Sequence, residues 1–226
     1  MKIVGIVGRA KLNVDRVQIT QVSDYARRAM MRFGDVTTIA ILPTNDVFYG
    51  DLKDKNDSLS AADRAKLDCI LEKCDGFIAP GGCSWFKFDK YIADHAVKYD
   101  KPYLAFCAGM QYLAGMHSNV EPRMSLIPGE THHNGGKRYS HTNFLVDGTK
   151  LKAIIGQDII PVNSSHFYAL NPPLNDDIVV SAYAEDGVIE AVELPNSKFV
   201  VGTQWHPEMI ADESSQKILQ AFVDAL

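Results

Sequence analysis

The chain reads as an α/β protein of three layers, a mostly parallel central sheet with helices on both faces, plus antiparallel strands in the C-terminal half. Three observations predict this. Short runs that are apolar almost throughout alternate with amphipathic stretches over the first half, and such strands belong to parallel sheets covered on both faces. Beyond Gly115 the pattern changes to short alternating segments bounded by Gly, Pro, Asn or Asp, as in antiparallel sheets. No repeat, low-complexity stretch or Gly/Ser/Pro-rich linker interrupts the chain, so residues 1–226 are expected to form a single domain.

The elements follow in order. KIVGIVG (Lys2 to Gly8) and TTIAILP (Thr37 to Pro43) are strands, with a helix-like stretch from Ile19 to Phe33 between them, giving β-α-β. Ala61 to Lys73 carries helical spacing and leads into DGFIAPGG (Asp75 to Gly82), a strand that stops at a Pro-Gly-Gly turn. A helical stretch from Tyr91 to Tyr99 precedes the strand KPYLAFC (Lys101 to Cys107). THHNGG, SHTNFLVDGT, DIIPVNSSHF, DIVVSAYAEDG, VIEAVELP and FVVGTQWHP are the antiparallel candidates, and a helix from Ser214 to Ala225 closes the chain. In such sheets, sites lie at the carboxyl ends of the strands.

Composition narrows the function. Of 226 residues, 46% are hydrophobic and 23% charged, enough to bury a sizeable core. The net charge of −5 is spread among interspersed acids and bases, so no nucleic-acid partner is expected. No apolar run reaches the length of a membrane span, and Met1 leads directly into a β-like run rather than a signal sequence. A cytoplasmic protein without a membrane partner is therefore expected. Cys69, Cys74, Cys83 and Cys107 are too few and too irregularly spaced for a disulfide framework or a CxxC pair, leaving room for one chemical thiol.

YLAFCAGMQYLAG marks that thiol. An apolar strand runs into Cys107, and the small Ala108 and then Gly109 open a helix. A tight strand-to-helix turn lifts the residue at its apex above the sheet and requires small neighbours. A thiol at a helix N-terminus is also favoured as thiolate, the reactive form. Near the other end, VVGTQWHPEM places His206 and Glu208 two residues apart around Pro207. An extended backbone turns such a pair to one face, where a carboxylate can orient an imidazole serving as base. Alone, a strand-end Cys is more often a buried core thiol and His-Pro-Glu is equally a surface turn; the two together favour chemistry.

These strings resemble the class I glutamine amidotransferase superfamily, with its Gly-rich turn, small-x-Cys-x-Gly elbow and late His-Pro-Glu, and most of all its gamma-glutamyl-gamma-aminobutyrate hydrolase branch, peptidase C26. ILP (Ile41 to Pro43), APGG, KPYLAFCAGMQ, VNSSHF, DGVIEAVE and VGTQWHPE match in one collinear order over most of the chain. The resemblance implies a flavodoxin-like sheet and a cysteine hydrolase that cleaves a γ-glutamyl amide bond. It implies Cys107 as nucleophile, His206 as general acid/base, Glu208 as its orienter, and an oxyanion hole from Gly81, Gly82 and Ala108. It assigns Gln111, one helical turn after the nucleophile, and the segment Asn163, Ser164, Ser165 and His166 to substrate binding. No metal or organic cofactor is expected. The partner is a small-molecule γ-glutamyl substrate, and a homodimer is compatible with the reading. The alternative is a glutaminase subunit delivering ammonia to a separate synthetase; a sensor of the same fold without turnover is a third reading.

The chain departs from the branch pattern in places. Ala105 stands where glycine is usual two before the nucleophile, Ala108 replaces a common arginine, and the segment from His117 to Glu130 differs, which bears on the acceptor side. Trp85, Phe86 and Phe88 are candidates for a substrate entrance or for packing. His132, His133 and His141 lack a Cys, Asp or Glu at ligand spacing and are expected as surface or packing histidines rather than metal ligands. Glu190 and Glu193 alternate with apolar residues as strand edges do and receive no chemistry. Cys69, Cys74 and Cys83 are expected as structural thiols, with Cys83 a candidate for oxidation with Cys107.

Overall fold

The computed structural model describes residues 1–12, 15, 17–47, 57–82, 86–116, 123–133 and 137–226. Its frame is a nine-stranded sheet. Five strands are parallel: β1 (Lys2–Val7) lies between β4 (Val36–Ile41) and β5 (Gly76–Ala79), and β6 (Tyr103–Phe106) lies between β5 and β13 (Val200–Thr203). From β13 the sheet continues antiparallel through β12 (Ile189–Glu193), β11 (Val179–Ala184), β8 (His141–Leu145) and β9 (Ile159–Val162).

Two apolar cores flank the sheet. On one face α2 (Ala61–Leu71), α3 (Lys87–Lys98) and α4 (Ala108–Met116) contribute Leu67, Leu71, Phe88, Ile92, Met110 and Leu113. On the other, α1 (Asp24–Met30), α5 (Lys150–Ile155) and α6 (Glu213–Ala225) contribute Met30, Leu151, Ile155, Ile218, Leu219 and Phe222. Alternate residues of one strand serve opposite faces, as the period of two demands: Phe77 and Ala79 join the first core, Ile78 the second. This is the three-layer fold the apolar runs predict.

Several local expectations are corrected. The stretch from Ile19 to Phe33 is not all helix: β3 (Gln18–Gln21) pairs antiparallel with β2 (Arg9–Leu12), and α1 begins only at Asp24. The Ser23 side chain accepts a hydrogen bond from Ala26 N–H, and this cap sets the start that the apolar spacing blurred. The third helix starts at Lys87 rather than Tyr91, with Asp89 accepting from Phe86 N–H at 2.9 Å. In the second half, β13 is antiparallel only on its β12 side and parallel to β6. THHNGG forms no strand over its described residues beyond one bridge between His133 and Ser165; residues 134–136 lie outside them. The helix α5, capped by Thr149 and ended by Gly156 in the left-handed region, was not legible among the strand signals. A short pair of strands, β7 (Met124–Leu126) and β10 (Tyr168–Leu170), lies apart from the main sheet.

Candidate active site

Cys107 sits at the turn between β6 and α4 with φ of 51°. A side chain in the left-handed region is strained and persists only where its surroundings enforce it. Here they do: Cys107 N–H donates to Thr203 O of β13 at 2.8 Å, and its carbonyl accepts from Gln111 N–H to start the helix. The helix enters close against β5, since a Cβ on Gly109 would stand 2.2 Å from Ala79 O, so only glycine fits the third residue of the elbow. Ala105 is fully buried in the register Ala79–Ala105–Gly202, and its methyl is accommodated there.

His206 and Glu208 follow β13, the strand beside β6. His206 donates from Nδ1 to Glu208 Oε1 at 2.8 Å, and its ring meets the thiol at the Gly81 turn, where a would-be Gly81 Cβ stands 3.2 Å from His206 Cε1 and 3.5 Å from Cys107 Sγ. Burial disfavours the imidazolium, yet the charge of Glu208 and the nearby Cys107 outweigh it, and the pKa of His206 stands well above the ordinary value. The backbone of His206 is held as well: Asn163 Nδ2 donates to His206 O and His206 N–H donates to Asn163 Oδ1, both at 2.9 Å.

The Pro80-Gly81-Gly82 turn closes over the thiol. A Cβ on Gly81 would meet Cys107 Cβ at 3.1 Å and His206 Cε1 at 3.2 Å. Arg9, the first residue of β2 and separated from the carboxyl end of β1 by Gly8 alone, donates from Nε and Nη2 to Pro80 O at 3.1 and 2.9 Å, and its Nη1 pairs with Asp89 of α3. Both charges are buried. Burial pushes the Asp89 carboxyl up, against the pull of Arg9. Gly82 lies against the Arg9 side chain, 3.1 Å from a would-be Cβ. Arg9 and Asp89 carry no motif and escaped the sequence reading; the one available signal was that Arg9 follows a strand's carboxyl end, where sites gather in such sheets. Ala108 is the first residue of α4, and a first-turn N–H has no intrahelical acceptor.

Cys107, Gly81, Gly82, Ala108, Gln111 and His206 line one cavity of about 910 Å³. Ser165, His166 and Glu208 line it too. Gln111 is buried rather than solvent-facing; its Nε2 donates to Tyr168 O at 2.7 Å and Gln204 Oε1 at 2.9 Å. Asn163 and Ser164 turn to the protein instead: Asn163 clasps His206, and Ser164 Oγ donates to His132 O at 2.6 Å. Phe86 and Phe88 are buried and stacked on each other at 5.9 Å within the first core, so they pack rather than line the cavity. Trp85 and Cys83 lie outside the described residues, as do residues 117–122. Cys74 is buried, which pushes its thiol up to about 11, and Cys69 is exposed.

The histidines divide. His133 is exposed and stacks on Phe167, whereas His132 and His141 meet His166 and Glu190 in the interior. The acid missing at ligand spacing comes from a different strand. Glu190 and Glu193 are fully buried on β12, an inner strand, and not at an edge. Glu193 accepts from Lys150 and Leu151 N–H at 2.7 and 2.9 Å and so caps α5. Burial would raise the Glu190 carboxyl, but His132 and His166 hold it at about 2.

A parallel sheet with helices on both faces, antiparallel strands appended, and a thiol elbow facing a His-Glu pair define the class I glutamine amidotransferase fold. Residues 87–208, just over half the chain, match Peptidase C26, and the protein belongs to that family. A glutamine amidotransferase-like protein of Rickettsia prowazekii is 42% identical over 88 residues, covering 38% of this chain and 31% of that protein. CTP synthase of Listeria monocytogenes is 28% identical over 188 residues, covering 69% and 35%. The chain spans between 31% and 46% of the length of the curated relatives it matches first. Among solved structures, the glutaminase domain of Trypanosoma brucei CTP synthase superposes with a TM-score of 0.66 at 15% identity, over 100% of this chain and 93% of that one. The curated relatives and the solved structures it resembles are glutamine amidotransferase-like proteins. Among the described residues, no helix is long and apolar enough to cross a membrane.

Proposed function

We propose that the protein is a cysteine-dependent hydrolase of γ-glutamyl amide bonds, with Cys107, His206 and Glu208 as its triad. The observation that carries this reading is the left-handed Cys107 at a helix entrance, sharing one cavity with a His206 whose Nδ1 is held by Glu208 at 2.8 Å. The imidazolium stabilises a thiolate beside it. Sulfur attacks the γ-carbonyl, whose oxygen gains charge toward the N–H groups of Gly82 and Ala108. His206 gives its proton to the departing amine, leaving a γ-glutamyl thioester, then takes one from the water that attacks the thioester, so that glutamate leaves and the thiolate–imidazolium pair is restored. Gln111 and Ser165 line the cavity and are assigned to the glutamyl end, whereas the ring of His166 is turned to Tyr168 O. No step draws on a metal or organic cofactor.

Replacing Cys107 by Ala is expected to abolish release of glutamate from a panel of γ-glutamyl amines, peptides and glutamine while leaving the thermal midpoint within a few degrees. Wild-type rates in that variant would overturn the assignment.

A second reading is favoured by the likeness to CTP synthase and its glutaminase domain: a glutaminase that hands ammonia to a synthetase. The same panel separates the two. A free-standing hydrolase turns over γ-glutamyl amines alone, whereas a glutaminase subunit is selective for glutamine and gains activity when its partner is added.

A further inference from the structure

Four buried atoms beside the proposed catalytic cavity converge without hydrogen bonds: His132 Nδ1, His141 Nε2, His166 Nε2 and Glu190 Oε1. Each of the four residues offers a ligand atom within 4.8 Å of those of the others. Buried polar atoms are rarely left unpartnered, and each such group calls for a reason. We propose that these atoms form a closed, four-ligand site for a zinc-like divalent cation, which ties the antiparallel half of the sheet to the wall of the catalytic cavity.

The outer contacts prepare the nitrogens for this. His132 donates from Nε2 to Asp186 Oδ2 at 3.0 Å, and His166 donates from Nδ1 to Tyr168 O at 3.0 Å. In neutral imidazoles those bonds fix the tautomer, so the opposite nitrogen of each ring presents a lone pair to the centre. Carboxylate and backbone-carbonyl partners on the far nitrogen are the usual support of a metal-bound histidine. Glu190 is steadied through its other oxygen, which accepts from Asn143 Nδ2 at 3.3 Å.

The spacing suits a cation better than a set of ion pairs. Glu190 Oε1 stands 3.3 Å from His132 Nδ1, 3.3 Å from His166 Nε2 and 3.7 Å from His141 Nε2. A charge-assisted hydrogen bond would be about 2.7–2.9 Å. The edge of a tetrahedron built on zinc distances to nitrogen and oxygen is about 3.3 Å. Three imidazoles with one carboxylate favour zinc, cobalt, nickel or copper over calcium or magnesium. Four protein ligands leave no open position, so the role is structural.

The ligands come from four separate places in the chain: the loop before β8, the start of β8, the loop after β9, and β12. His132 O also accepts from His166 N–H at 2.9 Å, and three residues before His166 stands Asn163, which holds His206. A cation would thus brace the segment on which His206 rests.

The test uses the full chain, as wild type and as Cys107→Ala, the latter to remove the catalytic thiol as a competing ligand. Both are stripped with a chelator and titrated with Zn²⁺ or Co²⁺. The expected result is one ion per chain in both, the strong visible absorption of four-coordinate Co²⁺, and a thermal midpoint raised by ~5 °C or more. Glu190→Gln and His141→Ala in the Cys107→Ala background are expected to lose the absorption, and His133→Ala to keep it. If the ligand variants do not fold, the titration of stripped wild type decides alone. A stripped protein that takes up no stoichiometric metal and gains no stability would overturn the proposal and identify the cluster as a buried imidazolium–carboxylate network. Uptake abolished by Cys107→Ala would also overturn it, by placing the ion at the thiol.

Discussion

Asn163 and His206 grip each other through two hydrogen bonds, one in each direction between the amide side chain and the backbone of His206. His206 is thereby held by its main chain through Asn163 and by its ring through Glu208. Replacing Asn163 by Ala removes both backbone bonds, at a cost of about 1–3 kcal/mol. The displaced ring is expected to lower kcat at least ~10-fold with KM little changed, read from steady-state rates on γ-glutamyl substrates beside a urea denaturation curve.

Glu208→Gln keeps the shape and deletes the charge. The pKa of His206 is expected to fall toward the ordinary histidine value, visible in an NMR titration of the ring, and turnover to drop by ~10²-fold or more. The sign of the stability effect follows. Because the folded pKa of His206 is raised, the stabilisation is fully present below about pH 6.5, the unfolded value. It is lost as pH rises through the folded pKa. Glu208→Gln is therefore expected to narrow the gap in stability between acidic and alkaline buffer, and an unchanged gap would contradict the pairing.

Gly81→Ala places a methyl against Cys107 Cβ and His206 Cε1. Overpacking of this kind costs about 1–3 kcal/mol, but the larger effect is expected on chemistry, because the two reacting side chains are what must move. A labelling rate for Cys107 with a thiol probe that falls by more than tenfold, alongside a thermal midpoint lowered by only a few degrees, is the expected pair of results.

Arg9 and Asp89 are both buried, so breaking the pair from one side strands a charge. Arg9→Met alone or Asp89→Asn alone is expected to cost about 3–5 kcal/mol, and the double replacement less than the sum of the two. Stability recovered in the double variant should not restore turnover, since Pro80 O loses its cationic partner and the turn over Cys107 loosens. Chemical denaturation and rates on the same samples check both parts.

How much of this could be read beforehand depended on whether the signal was local. The parallel strands were legible because burial on both faces leaves near-continuous apolar runs, as in Phe77 and Ile78. Cys107, His206 and Glu208 stood out because each lies in a string whose backbone purpose is short-range. Arg9, Asp89 and the histidine cluster did not. His132 meets Glu190 across the whole antiparallel half, and no spacing rule reaches that far. The capping role of Glu193 was hidden for a different reason: alternation in VIEAVE looked like an edge strand, while the N–H groups of α5 that Glu193 binds lie 43 and 42 residues earlier in the chain.

β13 is the seam strand, parallel to β6 on one side and antiparallel to β12 on the other, and it supplies the acceptor for Cys107 N–H and leads directly into His206. Because β13 occupies the middle of the sheet and is made late in the chain, the proposed pairing of Cys107 with His206 requires that this strand be seated between β6 and β12.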